Sequence, residues 1–125
     1  MVAVEVDNRS GQEVDEQGAI ALAQRVLAVE GVEDGELGIH FVEPDEIQRL
    51  KREHLGIDEA TDVLAFPIDE REQVPDGLPR QLGDAIVCPQ VVGEDWREPL
   101  VHALLHLLGH DHGTEMEERE RMHRQ

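Results

Sequence analysis

The chain contains a single cysteine, Cys88, among 125 residues. No internal disulfide can form, and a reducing cytoplasm is the expected location. Lysine is almost as scarce, Lys51 being the only one, so the basic set is nearly all arginine. Eleven basic residues face 29 acidic ones, for a formal net charge of −18. Such a charge favours solubility and repels polyanions at long range, which counts against generic nucleic-acid binding. A local basic groove or a cationic metal centre stays compatible with it. Long apolar runs are also missing, and none approaches the roughly 20 residues needed to span a bilayer. The first residues, Met1 to Asp7, alternate apolar and acidic side chains and read as a strand instead of a signal peptide. There is no internal repeat and no low-complexity tract. What the chain does have is 39% hydrophobic residues, enough for one domain spanning residues 1–125 around its own core.

Periodicity orders the elements. Val2 to Asp7 alternates with period two, as a strand does, and Asn8-Arg-Ser-Gly supplies turn chemistry. Ala19, Ile20, Leu22, Ala23, Val26 and Leu27 recur at helical spacing between about Val14 and Glu30, and Gly31 closes that run. Leu37, Ile39 and Phe41 alternate again. Glu43-Pro44-Asp45-Glu46 is a helix start with acids in its first turn, leading through Ile47, Leu50 and His54 to Gly56. Thr61 to Pro67 is a short strand ended by proline, residues 69–81 form a surface loop, and Leu82 to Cys88 is apolar enough to be a central strand. A short connector with Trp96 leads to a helix from about Glu98 to Leu108, and a charged tail, Glu115 to His123, forms a last helix. The order β-α-β-α-β-β-α-α predicts a small α+β domain: a mixed sheet of about four strands with helices packed on it.

Chemistry concentrates in His102-Ala-Leu-Leu-His106-Leu-Leu-Gly109-His110-Asp111-His112. On a helix, His102 and His106 lie on one face, one turn apart. Gly109 stands where such a helix stops, since glycine takes the left-handed conformation without steric cost. The chain can then reverse and return His112 over the same face. Three imidazoles leave a coordination position open, as catalytic zinc prefers, whereas structural zinc is usually closed by four ligands. The spacing H-x-x-x-H-x-x-G-x-x-H is that of a zincin-like helix, but zincin proteases place a glutamate after the first histidine. Here Ala103 occupies that position, so the usual peptide-hydrolysis base is missing. The bland alternative is an ordinary amphipathic helix, for which Leu104, Leu105, Leu107 and Leu108 supply an apolar face. Asp111 is a candidate catalytic residue, either orienting a ligand imidazole or moving a proton; equally, it could satisfy backbone donors in a tight turn. His110 is a fourth ligand or a cleft-lining residue. His40, His54 and His123 are expected to carry no chemistry, and Cys88 to be a buried strand residue.

Three segments together resemble the YbeY endoribonucleases of bacteria, also called rRNA maturation factors. They are Thr61-Asp-Val-Leu-Ala-Phe-Pro67, Leu82-Gly-Asp84 and the block from His102 to His112. The resemblance covers nearly the whole chain and implies a single-stranded-RNA endonuclease with one zinc ion held by His102, His106 and His112. It implies roles in maturing the 3′ end of small-subunit rRNA and in clearing defective ribosomes. Four positions depart from the family pattern. Leu55 stands where an arginine thought to touch RNA is usual, and Arg49, Lys51 and Arg52 are the candidates to replace it. Ala65 replaces a serine, His110 replaces an aromatic, and the stretch from Val87 to the histidine helix lacks most of a helical segment. Two rival readings remain: a ribosome-assembly factor that binds without cutting, its zinc structural, and a metal-dependent amide or ester hydrolase.

Overall fold

The computed structural model describes residues 2–57, 61–68, 80–92, 95–108 and 123. Its elements run β1 (Ala3–Asn8), α1 (Glu16–Val29), β2 (Glu36–Phe41), α2 (Pro44–Leu55), β3 (Val63–Pro67), β4 (Gln81–Val87), α3 (Pro89–Val92) and α4 (Arg97–Leu107). The four strands form one sheet in the order β1-β2-β4-β3. β1 and β4 both run parallel to β2, and β3 closes the edge antiparallel to β4. This is the mixed sheet and α+β class expected from the alternation of patterns. The expected surface loop over 69–81 gives way to β4 already at Gln81, its residues 69–79 lying outside the described residues, as does the expected tail helix apart from His123.

Strand alternation sorts side chains onto two faces. Leu37, Ile39 and Phe41 of β2, with Leu82, Ala85 and Val87 of β4, turn towards one face and are buried. Helix α1 covers them with Ala19, Ala23, Val26 and Leu27, and α4 packs across β3 and β4 on the same side. Asp15 starts α1 by accepting the Gly18 N–H at 2.9 Å. The other face carries a second, smaller core of Val42, Ile47, Leu64, Ile86 and Cys88, closed by α2. His54, on the last turn of α2, tilts against Phe66 with ring centroids 5.0 Å apart. Gly56 then ends that helix in the left-handed conformation, φ 72°.

Sequence patterning did not disclose α3, a single turn following Pro89, where only a connector was expected. Four residues are too few to show a helical period. Its position agrees with the shortened stretch noted between Val87 and the histidine helix.

Gly83 fixes how β4 meets the β3 edge. Its φ is +129°, and a Cβ there would lie 2.2 Å from the carbonyl oxygen of Phe66 and 3.1 Å from Cδ2 of Leu107. The β3–β4 approach and the seat of α4 both need that space. Gly83→Ala is expected to cost about 2–4 kcal/mol of stability, read as a fall in the urea midpoint at unchanged slope.

A surface bridge ties the end of β1 to α2. Arg9, which also pairs with Asp7, reaches Glu46 with Nη2 2.6 Å from Oε2. The hydrogen bond from Arg9 holds the Glu46 carboxyl below its ordinary value of 4.5, against the opposing effect of partial burial. A depressed carboxylate stabilises the fold above its unfolded pKa, and that contribution vanishes as pH falls through the lower folded value. Because both side chains are solvated, the effect is small. Glu46→Gln is expected to lose about 0.5 kcal/mol at pH 7, with the difference from wild type shrinking in denaturant titrations as pH falls through the lowered folded value.

Candidate metal centre

Helix α4 begins without a side-chain cap at Trp96; Asp95 instead accepts the Arg97 N–H at 3.0 Å. Trp96 anchors this end, its ring edge-on to Phe41 at 5.3 Å, with the Arg97 guanidinium 5.0 Å from its centroid. From there α4 runs over β3 and β4, beside α1. Leu100, Leu104 and Leu105 are fully enclosed, and Val101, Ala103, Leu107 and Leu108 nearly so. Between Leu100 and Leu108 only His102 and His106 are not buried. A helix apolar on almost every side is buried on almost every side. Over residues 100–108 this is the one narrow seam, while Arg97 and Glu98 in the first turn of α4 are exposed.

The two imidazoles along the seam meet. Their ring centroids are 4.5 Å apart at 72°, and the Nε2 atoms lie 2.9 Å from each other. At that separation both nitrogens cannot carry a proton, so at least one offers its lone pair to the other or to a shared cation. Two nitrogens bound at about 2.0–2.1 Å to one tetrahedral zinc stand about 3.3 Å apart, within a few tenths of an ångström of this spacing. The residues present therefore fit a cation between them. Gly109, His110, Asp111 and His112 lie outside the described residues, so the geometry brings together His102 and His106 of the expected set. Among the described residues no group of three His, Cys, Asp or Glu side chains converges as a metal site.

The candidates to replace the family arginine sit elsewhere. Arg49 and Arg52 are exposed and Lys51 partly so, all on α2, which covers the sheet face opposite α4. Leu55 is itself 54% exposed at the end of that helix. Cys88 is free and buried, as expected. No helix among the described residues is long and apolar enough to cross a membrane.

Two histidines expected to be inert are built into polar contacts. His40 on β2 donates from Nε2 to Asp84 on β4 at 2.9 Å, while its Nδ1 stands 3.6 Å from Asp7, beyond hydrogen-bond reach. Gly38 makes room for that pair, since a Cβ there would lie 2.4 Å from Asp84 Oδ1. Together with Glu5, Glu36 and Gln81 they line a groove of about 320 Å³ on the sheet face that α2 leaves uncovered. His123 is buried against Glu30, the residue that caps the C-terminal end of α1. Neither contact had a local signal, because the partners are 44 and 93 residues apart and the strand order is not written in the sequence.

Comparison with known proteins agrees with the motifs. The Endoribonuclease YbeY family model matches residues 5–125. A protein of Salinispora tropica named Endoribonuclease YbeY is 37% identical, over 95% of this chain and 88% of its own length. A Staphylococcus carnosus protein of the same name is 35% identical, over 97% and 85%. The solution structure of TM1509 from Thermotoga maritima superposes with a TM-score of 0.54 at 25% identity, covering 98% of this chain and 86% of that one. A match of this extent places the chain in the YbeY endoribonuclease family.

Proposed function

We propose that the protein is a zinc-dependent endoribonuclease specific for single strands, acting in the cytoplasm on ribosomal RNA. Its task is maturation of the small-subunit rRNA 3′ end, with a part in ribosome quality control. The observation that carries the metal reading is the pair of Nε2 atoms 2.9 Å apart on the one open seam of α4. Family membership carries the RNA chemistry.

His102 and His106 would hold one zinc ion, with His112 as the third ligand. When bound, zinc supplies a Lewis acid that polarises a phosphoryl oxygen and lowers the pKa of water towards 7. The rigid, buried leucines of α4 fix the two imidazoles, so little reorganisation is needed when the site is charged. Ala103 brings no carboxylate where proteases have one, which disfavours amide hydrolysis and leaves proton movement to another group. Asp111 is the candidate: it orients a ligand imidazole or exchanges a proton at the reacting centre. Arg49, Lys51 and Arg52 supply positive charge for the RNA path on the opposite layer, offsetting in part a chain charge of −18.

The test is cleavage of a labelled small-subunit rRNA fragment by the pure protein, alongside elemental analysis for zinc. Chelation is expected to abolish cutting, and added zinc to restore it. His106→Ala is expected to lose the metal and at least about 100-fold in rate, a result that equal activity would contradict. Asp111→Ala is expected to cost about 10–100-fold in activity or metal affinity. Binding to small ribosomal subunits without any cleavage would instead favour an assembly factor, and peptide hydrolysis without RNA cleavage an amide hydrolase.

A further inference from the structure

The chain has two phenylalanines, one tryptophan and no tyrosine. Phe41 and Trp96 are buried together, edge to face. Phe66 is only half-buried: one side of it rests on the second core, and the imidazole of His54 tilts against it at 5.0 Å and 53°. His54 itself is exposed on the last turn of α2. The contact limits the rotamers of a side chain that solvent alone would leave free, so little ordering remains when a flat ligand lies on it. Leu55 and Ile57, both exposed, follow His54, and the exposed Ile68 shares the face of Phe66 two residues on. Lys51 stands about one turn before His54 on α2, followed by Arg52 and Glu53.

Among the described residues β3 is the edge of the sheet, paired with β4 alone. Helix α4 packs on one face of this edge, and the His54–Phe66 pair lies on the other. Both belong to the same end of the strand. The space that Gly83 leaves open is bounded by the Phe66 carbonyl oxygen and by Leu107, the residue after His106. The ring pair and the imidazole seam are thus separated by the thickness of the sheet, roughly the 10 Å of one packed layer. A single strand passing the β3 edge reaches both.

We propose that His54, seated on Phe66, is a substrate-binding residue: a platform on which one unpaired base of the RNA stacks while the neighbouring backbone lies at the α4 seam. The inference rests on the endoribonuclease reading above. Stacking suits this chain. A base is uncharged and presents a π-face whatever its identity, so the contact is not weakened by a net charge of −18, nor opposed by Glu53 beside it. Only a base free of its Watson–Crick partner can lie on a protein ring, which makes the platform a selector for single strands. Lys51 and Arg52, on the same stretch of helix, supply positive charge for the phosphates that flank the base.

The experiment is cleavage of a labelled single-stranded rRNA fragment by the full chain supplemented with zinc, with kcat and KM resolved and folding checked by circular dichroism. His54→Leu keeps an apolar side chain and removes the π-face; it is expected to raise KM about tenfold while kcat stays within about twofold. His54→Tyr, which restores a ring, is expected to return KM to near the wild-type value. Phe66→Leu, which removes the ring beneath, is expected to raise KM by a smaller factor. A fluorescent adenine analogue placed at successive positions of the RNA locates the base. Its emission is expected to be quenched at one position on the wild type and to stay bright there on His54→Leu. Replacing that nucleotide by an abasic one is expected to weaken binding to the wild type about tenfold and to leave His54→Leu unchanged. Equal KM for wild type and His54→Leu, with both cleaving RNA, would reduce the ring pair to packing and overturn the proposal alone. A KM raised equally with and without the base would overturn it too, as general damage to α2. Unchanged KM on naked RNA with weaker co-sedimentation of His54→Leu with small ribosomal subunits would assign the surface to a protein partner instead. A wild-type chain that cleaves no RNA would remove the endoribonuclease reading itself, and the platform with it.

Discussion

The burial of α4 is the constraint on which the rest depends. Its leucines are enclosed by β3, β4 and α1, and over residues 100–108 His102 and His106 mark the one seam left by the described residues. Burying an unpaired polar ring is costly, so an imidazole on such a helix needs a partner. Each histidine finds the other, Nε2 to Nε2, an arrangement in which one lone pair is always offered. The packing that stabilises the helix thus also dictates a point where a cation would be welcome. Fold and candidate site share the same side chains. That is why α4 cannot drift without disturbing both, and why Gly83, which admits Leu107 against β4, matters at a distance from the imidazoles.

The sheet order follows from similar reasoning. β1-α1-β2 is a parallel crossover, which needs a helix to carry the chain back, and α1 is that helix. α2 then lies over the opposite face, where Ile47 and Ile86 meet, before β3 enters antiparallel at the edge. The polar strip at His40 and Asp84 exists because α2 covers only part of that second face. With −18 overall, Glu5, Asp7, Glu36 and Asp84 line the groove, while α2 intersperses Arg49, Lys51 and Arg52 with Asp45, Glu46 and Glu53. Long-range repulsion slows approach of a polyanion, so a productive RNA encounter must be guided by local charge. A cation at His102 and His106 would be the strongest such local charge, since neither imidazole contributes one while binding through a lone pair.

Much of this was legible in the chain. The period-two runs at Val4, Val6 and Leu37, Ile39, Phe41 are strands, and the spacing Ala19, Ala23, Val26 is the buried stripe of α1, because burial on one face writes its period into the sequence. The Pro44 start and Gly56 stop of α2 hold for the same local reasons. His102 and His106 were legible as neighbours because their four-residue spacing puts them on one face of one helix. What stayed hidden is pairing between elements. His40 with Asp84, and Glu30 with His123, join residues whose adjacency is created by strand order and by the return of the tail, and neither leaves a periodic trace. The single turn of α3 is too short to have one.

A histidine helix supplies two ligands cheaply, since helical geometry alone sets their spacing. A third ligand from beyond the helix end has no such guarantee. Its position depends on tertiary contacts that no helical period can encode. Among the described residues the chain after α4 is seen again at His123, enclosed against Glu30 just past the last turn of α1. Leu55 and Ala65, two departures from the family pattern, lie on α2 and β3, away from the seam of α4 that carries the two imidazoles.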